Sequence, residues 1–525
     1  MRIKLPKFPR FPRVVIYIFI FGLLLRVIGV WFGLPLQLNI DEPTLISSVV
    51  ALKQNINPGH FEWPHLYFYI NLLFYFVFGA FRKIVSIISG NPWLAEDPSP
   101  YFLISRSLSA IFGSLTIFSV YLISKEIFSE RVGKISALVL AVLPIAVYEA
   151  HLAKMDTANT FFTSVAVYFI WQVHKKGDLK AFIYSGIWIG LSTSIKYNGA
   201  LLFLPLLVAY LLRGERFLKI FSIQTLKKFL YSGISSIIAF YVGTPFAIID
   251  YKKFFSAERN VGAMWQFQNV GQVEWINFPT EIFNTFILMY RQQLGLSIWI
   301  IFLILIILFL FFNKRSKGYV FLMLPTIFFS LYISRFDRSP GHYFLFLIPF
   351  YVPAISGFIV EIYDFMQAKF KNMLIAKLNI YMFTGLVLFT SIYPVLKSDF
   401  LLSRKDTRNS AFEWVRSNLN QETDFLYVSG EELKSIPFQK NNTERIKKVD
   451  RSLIKNVAPF YIVIGVNGVI KEDILGGDRD PASLSGNSGP ILRDATLEFY
   501  ADNENRLGPP IYIFKVNSVE PETGD

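Results

Sequence analysis

The chain has 525 residues, of which 53% are hydrophobic and 17% are charged, and its mean hydropathy is +0.42. Apolar runs of 18 or more residues recur along it, which is typical of membrane-spanning helices and excludes an ordinary soluble protein. The chain contains no cysteine, so disulfides, thiol nucleophiles and thiolate metal sites are excluded. Any chemistry must therefore come from carboxylates, His, Lys or Arg.

The net charge of +14 is unevenly distributed along the chain. Residues 398–525 hold 16 Lys and Arg against 20 Asp and Glu, whereas residues 1–397 hold 36 against 18. A positive excess in the apolar part of a membrane protein normally sits in cytoplasmic loops and sets the orientation of the spans. This distribution argues against nucleic acid as a partner.

The N-terminal segment resembles a secretory signal, because basic residues precede an apolar stretch at 14–34. The stretch is too long for a signal peptide, and no small-residue cleavage site follows it. We therefore predict an uncleaved first span that starts in the cytoplasm.

Ten further apolar segments follow the first span, at 66–88, 101–124, 132–150, 157–173, 181–212, 229–249, 286–312, 319–334, 342–363 and 380–397. Segment 181–212 has Lys196 in its middle and is predicted to be two short helices that meet at one membrane face. If segment 66–88 lies along the outer interface instead of crossing, every later basic cluster falls on the cytoplasmic side. The prediction is a polytopic α-helical membrane protein with about eleven spans and interfacial helices in the first outer loop.

Beyond residue 397 the composition becomes that of a soluble domain. Residues 409–416 have helical apolar spacing, and 424–429, 460–466 and 511–516 have the pattern of strands. We predict two domains, a membrane-embedded domain at 1–397 and a small α/β extracytoplasmic domain at 398–525.

The predicted orientation gathers the unusual polar residues at the outer membrane face. The residues concerned are Asp41, Glu42, His151, Lys154, Asp156, Lys196, Tyr197, Arg335, Arg338, His342 and Tyr343. Carboxylates that meet cations at one membrane face are what an anionic lipid-linked substrate requires, because an acid can remove a proton while cations hold a phosphate.

Most of these residues also admit a plainer interpretation. Asp41 precedes a Pro-containing helix start and Asp156 precedes an apolar span, so either carboxylate is a plausible helix cap. His151 and Lys154 share a helical face and could reach out from the interface together. Arg338 with its neighbours could bind anionic lipid headgroups.

Two further features are less ambiguous. Lys196 lies inside an apolar stretch, where an ionisable side chain is costly and usually faces a cavity, so the functional interpretation leads. His60 and His65 are five residues apart around Trp63 and Pro64, a spacing that favours an interfacial aromatic belt over zinc ligation.

The order of these motifs resembles the glycosyltransferase C superfamily over roughly residues 10–400, in particular the protein O-mannosyltransferases and the lipid A aminoarabinose transferases. The opening Asp-Glu pair is followed by Trp63-Pro64-His65-Leu66-Tyr67, and Leu143-Pro144 leads to His151–Asp156. A small-residue stretch ends in Lys196-Tyr197. Arg338 to Pro349 resembles a late Arg-Tyr-to-Pro motif with Ser-Pro-Gly-His inserted, which leaves open whether Arg338 or His342 takes the phosphate role.

The resemblance implies transfer of a sugar from a polyprenyl-phosphate donor to an acceptor hydroxyl on the outer face, with inversion at the sugar carbon. It implies that Asp41 is the general base, that Glu42 assists it and that Asp156 orients the sugar or acceptor. Residues expected to bind the donor phosphate are Lys154, Lys196, Arg338, His342 and Tyr343. Residues expected to line the substrate are His65, His151 and Tyr197.

The oligosaccharyltransferase branch of that superfamily uses a divalent cation, but its Trp-Trp-Asp signature is absent here, so no obligatory metal or other cofactor is predicted. Expected partners are the lipid-linked donor, membrane lipid and a protein, lipid or glycan acceptor. The competing prediction is a secondary transporter, although no internal repeat is evident. A non-enzymatic lipid-binding or scaffold protein would not need the pair Asp41 and Glu42.

Overall fold

The structure is a computed structural model in which helices predominate. It describes residues 10–36, 38–39, 41–89, 99–214, 221–268, 271–311, 316–336, 340–369, 373–420, 423–429, 433, 443–446, 459–465, 495–501 and 505–517. The chain divides into two compact units. The membrane unit comprises Met1–Ile28, Thr44–Glu96 and Pro100–Ser398, and the second unit comprises Gly29–Pro43, Asp97–Ser99 and Asp399–Asp525.

Twenty α-helices lie in the described part of the chain, together with short segments of other helical types. The first ten are α1 (Arg13–Val27), α2 (Glu42–Ala51), α3 (Leu66–Ser89), α4 (Ser99–Ile127), α5 (Glu130–Ala141), α6 (Pro144–Tyr148), α7 (Asp156–Lys176), α8 (Leu179–Ile195), α9 (Phe203–Leu211) and α10 (Ile223–Gly243). The others are α11 (Phe246–Ile249), α12 (Tyr251–Phe254), α13 (Ala263–Gln268), α14 (Phe278–Phe283), α15 (Tyr290–Leu294), α16 (Leu296–Phe311), α17 (Lys317–Ile333), α18 (Ile348–Lys369), α19 (Met373–Ser403) and α20 (Thr407–Asn418). Turns of 3₁₀ helix cover Glu149–His151, Tyr197–Leu202 and Gly341–Leu347, and Asn284–Met289 is a π-helix.

Within the described residues, two helices are long and apolar enough to cross a membrane, Ser99–Ile127 and Gly341–Lys369. A third candidate is the bent pair Glu130–Ala141 and Pro144–His151, whose two parts meet at 59°. The helical membrane architecture agrees with the sequence analysis, but the number of eleven spans stays a prediction.

Close packing of α8 against α10 depends on small residues. A side chain at Gly186 or Gly190 would collide with the backbone carbonyl of Ser232 or Ser236 on α10. Glycines at such positions let two helix backbones approach closely, which is a common way for helices to associate in membranes.

The break between α5 and α6 is completed by an arginine from α1. Pro144 cannot continue the helix of α5, so the last carbonyls of that helix lack intrahelical donors. The fully buried Arg26 donates to the carbonyls of Ala141 (3.0 Å) and Leu140 (2.9 Å). The Leu140 carbonyl also accepts from the Leu143 N–H at 3.4 Å, so the buried guanidinium adds to the remaining backbone bonds and ties α1 to the bend.

The second unit contains a five-stranded sheet built from β1 (Leu426–Ser429), β2 (Thr443–Ile446), β3 (Phe460–Gly465), β4 (Ala495–Ala501) and β5 (Ile511–Val516). The strand order is β2-β1-β3-β5-β4, with β1 parallel to β2 and β3, and β5 antiparallel to β3 and β4. α20 packs against the sheet through Ala411 and Val415. The α/β character predicted for this region is present.

The second unit also includes a segment from the start of the chain, Gly29–Pro43, which the sequence analysis assigned to the membrane domain. Leu36 is 4% exposed and belongs to the same apolar core as Ala411 and Val463. Asn409 on α20 donates a hydrogen bond from Nδ2 to the Leu34 carbonyl at 2.9 Å. This segment ends at Asp41, Glu42 and Pro43, so the acidic pair follows directly from chain that is built into the second unit.

Candidate functional site

The centre of the candidate site is an ion pair between α7 and the end of α8. Lys196 Nζ lies 2.7 Å from Asp156 Oδ1, and their side chains are 24% and 8% exposed. Lys196 has extended backbone (φ −151°, ψ 135°) and separates α8 from the following 3₁₀ turn. The predicted break in the apolar segment 181–212 is therefore confirmed, and the break itself carries the lysine.

The structure excludes the simple capping interpretation of Asp156. α7 starts at Asp156, its N-cap is Met155, and no side-chain capping hydrogen bond is present there. The carboxylate instead pairs with Lys196, which follows it by 40 positions in the chain. A carboxylate at the first turn of a helix is also favoured by the helix dipole.

Three more of the predicted residues lie around this pair. His342 and Lys154 are close enough to Asp156 to interact with it electrostatically. The Tyr343 ring centroid is 5.1 Å from Lys196 Nζ, within range of a cation–π interaction. The half-buried His342 and Tyr343 lie in the 3₁₀ turn Gly341–Leu347, which also contacts α7. Residues from three separate segments of the chain, 154–156, 196 and 342–343, thus meet at one place.

The acidic pair at the start of α2 belongs to the second unit. Asp41 is exposed, and its backbone N–H donates to Asn39 Oδ1 at 3.0 Å. Glu42 is the first residue of α2 and is fully buried. Their predicted catalytic roles stay predictions. Arg338 lies outside the described residues.

The three residues predicted to line the substrate all bond to backbone carbonyls. His65 Nε2 is 2.8 Å from the His60 carbonyl, and the Tyr197 hydroxyl donates to the Phe61 carbonyl at 2.7 Å. His151 is fully buried, with Nδ1 2.9 Å from the Val147 carbonyl and Nε2 2.8 Å from the Ile28 carbonyl. These contacts hold loops and helix ends in place. They exclude an interfacial, outward-reaching His151, while contact with a substrate stays a prediction.

The membrane unit buries three charged residues that were not among the predicted site residues. Arg26 and Arg106 are fully buried, and Glu149 is 6% exposed. Arg106 lies inside the apolar segment 101–124, near its start, so the argument applied to Lys196 would have selected it too. The same argument would have selected Arg26, which lies inside the apolar segment 14–34, and Glu149, which lies at the end of the segment 132–150.

Among the residues that the structure describes, no group of three or more His, Asp or Glu is arranged to hold a metal ion. The prediction that no metal is obligatory stays a prediction, because this observation concerns only protein ligands in part of the chain.

Comparison with known proteins gives a partial family match and a likeness of fold. Residues 103–243 match the family of dolichyl-phosphate-mannose-protein mannosyltransferases, a range that includes Asp156 and Lys196. No curated protein sequence matches the chain.

Among solved structures, ArnT from Cupriavidus metallidurans in the apo state aligns with 95% of this chain and 97% of its own, at 13% identity and a TM-score of 0.52. The same protein bound to undecaprenyl phosphate aligns over 97% and 99%, at 14% identity and a TM-score of 0.47. The apo oligosaccharyltransferase of Archaeoglobus fulgidus aligns with 81% of this chain at 14% identity and a TM-score of 0.45. The chain spans only 63% of that oligosaccharyltransferase's length.

The fold shared with ArnT extends over nearly the whole chain, and the family match covers the part that carries the ion pair. The chain is therefore similar to the glycosyltransferase C superfamily, in fold over nearly its whole length and in sequence over residues 103–243.

Proposed function

We propose that this protein is a glycosyltransferase that moves a sugar from a polyprenyl-phosphate donor to an acceptor hydroxyl at the outer face of the cell membrane. The transferred sugar is a hexose or a pentose, and the acceptor is a protein, a lipid or a glycan. The protein crosses the membrane several times, with its N-terminus in the cytoplasm and its second unit outside.

The observation that supports this proposal most is the meeting of Lys196, Lys154 and His342 around Asp156. Several groups able to carry positive charge at one place suit a phosphate, which accepts charge-assisted hydrogen bonds on all its free oxygens. The description of the matching family, which names dolichyl-phosphate-mannose, supports the same class of donor.

In the proposed reaction, the acceptor oxygen attacks the anomeric carbon from the face opposite the phosphate. The bond between that carbon and the phosphate oxygen breaks, and the electron pair leaves with the polyprenyl phosphate. The Asp41 carboxylate takes the proton of the acceptor hydroxyl. Lys196, Lys154 and His342 stabilise the negative charge that grows on the departing phosphate.

Asp156 has two tasks in this proposal. It holds the Lys196 ammonium by an ion pair at 2.7 Å, and it leaves the ammonium's other N–H groups to be used by a phosphate. Aromatic contact with Tyr343 restricts the lysine further. A cation held in place before the donor binds needs little reorganisation when charge develops.

The proposal is tested with purified protein in lipid nanodiscs and a panel of undecaprenyl-phosphate donors that carry mannose, glucose, galactose or 4-amino-4-deoxyarabinose. Cell-envelope extract supplies the acceptor, and mass spectrometry follows release of undecaprenyl phosphate. We expect wild-type protein to consume at least one donor and Asp41→Asn to lose at least about a hundredfold in rate.

The matched control is Asp364→Asn, which removes an exposed carboxylate paired with Arg131 and should leave the rate unchanged. Full turnover by Asp41→Asn would exclude the base role. Movement of the intact donor across proteoliposome membranes without sugar transfer would favour a transporter.

A further inference from the structure

A glutamine beside the candidate site has an amide group that the described residues leave unused. Gln293 on α15 is 4% exposed, and neither Nε2 nor Oε1 has a hydrogen-bond partner in the described part of the chain. Burial of a complete amide without partners costs free energy, so proteins rarely keep one unless something else completes it.

The position of this amide connects it with the site. A Cβ built on Gly341 would lie 3.4 Å from Gln293 Nε2, so the amide lies against the backbone of the residue directly before His342. α15 also follows directly from the π-helix Asn284–Met289. π-helical turns are rare and are frequently found at functional sites.

A second unused polar group lies on the α7 side of the same cluster. Thr157 directly follows Asp156, is 2% exposed, and its Oγ1 has no hydrogen-bond partner among the described residues. Thus two buried polar groups without partners adjoin the residues that surround Lys196, one next to Asp156 and one next to His342.

The chemistry of these groups indicates the kind of ligand. An amide offers both a donor and an acceptor, and a hydroxyl does the same. A phosphate offers acceptors only, so it would leave the amide oxygen unsatisfied, whereas a sugar hydroxyl can satisfy both ends. A lipid-linked sugar carries several hydroxyls immediately beside its phosphate.

We propose that the Gln293 amide, together with the Thr157 hydroxyl, binds hydroxyl groups of the donor sugar. This inference rests on the proposed function, because it takes the phosphate of the same donor to lie at Lys196. It makes Gln293 a residue that recognises the sugar and not the lipid phosphate.

The test replaces Gln293 by leucine and Thr157 by valine, which keep similar shapes and remove the polar atoms. The matched control is Gln172→Leu. Like Gln293, Gln172 is a buried glutamine whose Nε2 lacks a partner in the described residues. It lies on α7, 16 residues beyond Asp156, which is about 24 Å along the helix and far from the candidate site.

Two quantities are measured for each variant: kcat/KM with the panel donor that the wild type uses, and the inhibition constant of bare undecaprenyl phosphate. We expect Gln293→Leu and Thr157→Val to lower kcat/KM by about tenfold or more, without changing the inhibition constant or lowering the melting temperature. Gln172→Leu should match the wild type in all three measurements.

Values of kcat/KM within about twofold of wild type for Gln293→Leu would overturn the inference and leave the proposed function standing. So would an equal loss of affinity for the bare lipid phosphate, because the amide would then serve the phosphate. A wild-type protein that consumes no donor of the panel would overturn the proposed function and this inference together.

Discussion

At the scale of single residues, Asp156 and Lys196 form an ion pair at low exposure. Removing two charges from water is expensive, and their attraction compensates for this only when both partners are present. Loss of either partner should therefore lower the stability of the protein as well as its activity. Measuring stability and activity in the same variant separates the two effects.

A double-mutant cycle tests this coupling. Asp156→Asn and Lys196→Met should each lower the stability of the purified protein, while the double variant should lose less than the sum of the two. Because Lys196 is 24% exposed, we expect a coupling free energy of about 1–3 kcal/mol, toward the lower end for buried pairs. Additive losses would show that the pair is not coupled.

Another residue-scale prediction concerns pH. Burial lowers the pKa of His65 to about 4, although the hydrogen bond to the His60 carbonyl favours the charged ring. The unfolded chain binds this proton near pH 6.5, so stability from neutral His65 is complete above that pH and is lost as the pH falls toward 4. The melting temperature should therefore decrease as the pH is lowered from about 6.5 to about 4.

His65→Asn provides the comparison, since asparagine can still donate a hydrogen bond but does not titrate. The variant should show a smaller fall in melting temperature than the wild type over this pH range. An equal fall in both proteins would mean that His65 does not contribute to acid sensitivity.

At the scale of elements, the second unit is more than an appendage to the C-terminus. It contains the segment Gly29–Pro43, fixed by Leu36 in the apolar core and by the bond from Asn409 to the Leu34 carbonyl. Gly29 has φ +92°, and any side chain there would collide with Leu402, so the start of the segment is also closely packed. We infer that this unit positions the chain that leads to Asp41.

Hydrogen exchange tests this role of α20. Asn409→Leu should increase deuterium uptake in residues 29–43, by about tenfold in exchange rate, because one buried hydrogen bond is lost. Asn418→Leu is the matched control, since Asn418 bonds only to the Trp414 carbonyl of its own helix in the described contacts and is exposed. Unchanged exchange in Asn409→Leu would contradict the positioning role.

In the sheet, the strands that the sequence predicts are the central ones, and the strands that it does not predict are the edges. The three strands predicted from sequence correspond to β1, β3 and β5, which are the central strands. The two missed strands, β2 and β4, form the edges and carry polar residues such as Glu444 and Glu498. Edge strands are covered on fewer sides, so their apolar pattern is weaker.

The same distinction applies to the site. The break at Lys196 was predictable because a charged residue interrupts an apolar run. Its pairing with Asp156 and the orphan amide of Gln293 were not, because both depend on how distant segments pack. The capping interpretation of Asp156 was wrong for this reason. A cap is suggested by the neighbouring residues alone, whereas the carboxylate pairs with Lys196, which only the fold brings close.

At the scale of the whole molecule, orientation is the least tested prediction, and the absence of cysteine makes it easy to test. Single cysteines introduced at the exposed positions Asn277 and Lys176 can be labelled without background. An impermeant maleimide added to intact cells should label Asn277→Cys and not Lys176→Cys, because the positive-charge rule places them on opposite sides. The reverse pattern would put the predicted outer loops in the cytoplasm.

We propose that the residues around Asp156 and Lys196 hold the phosphate of a polyprenyl lipid. The most direct measurement is the affinity of purified protein for undecaprenyl phosphate, determined by native mass spectrometry for the wild type, Lys196→Met and Lys228→Met. Lys228 is a suitable control because it is also partly buried and donates to a backbone carbonyl, that of Gly177. We expect Lys196→Met to weaken binding by about tenfold or more and Lys228→Met to bind like the wild type. Equal affinity of folded Lys196→Met and wild-type protein would contradict it.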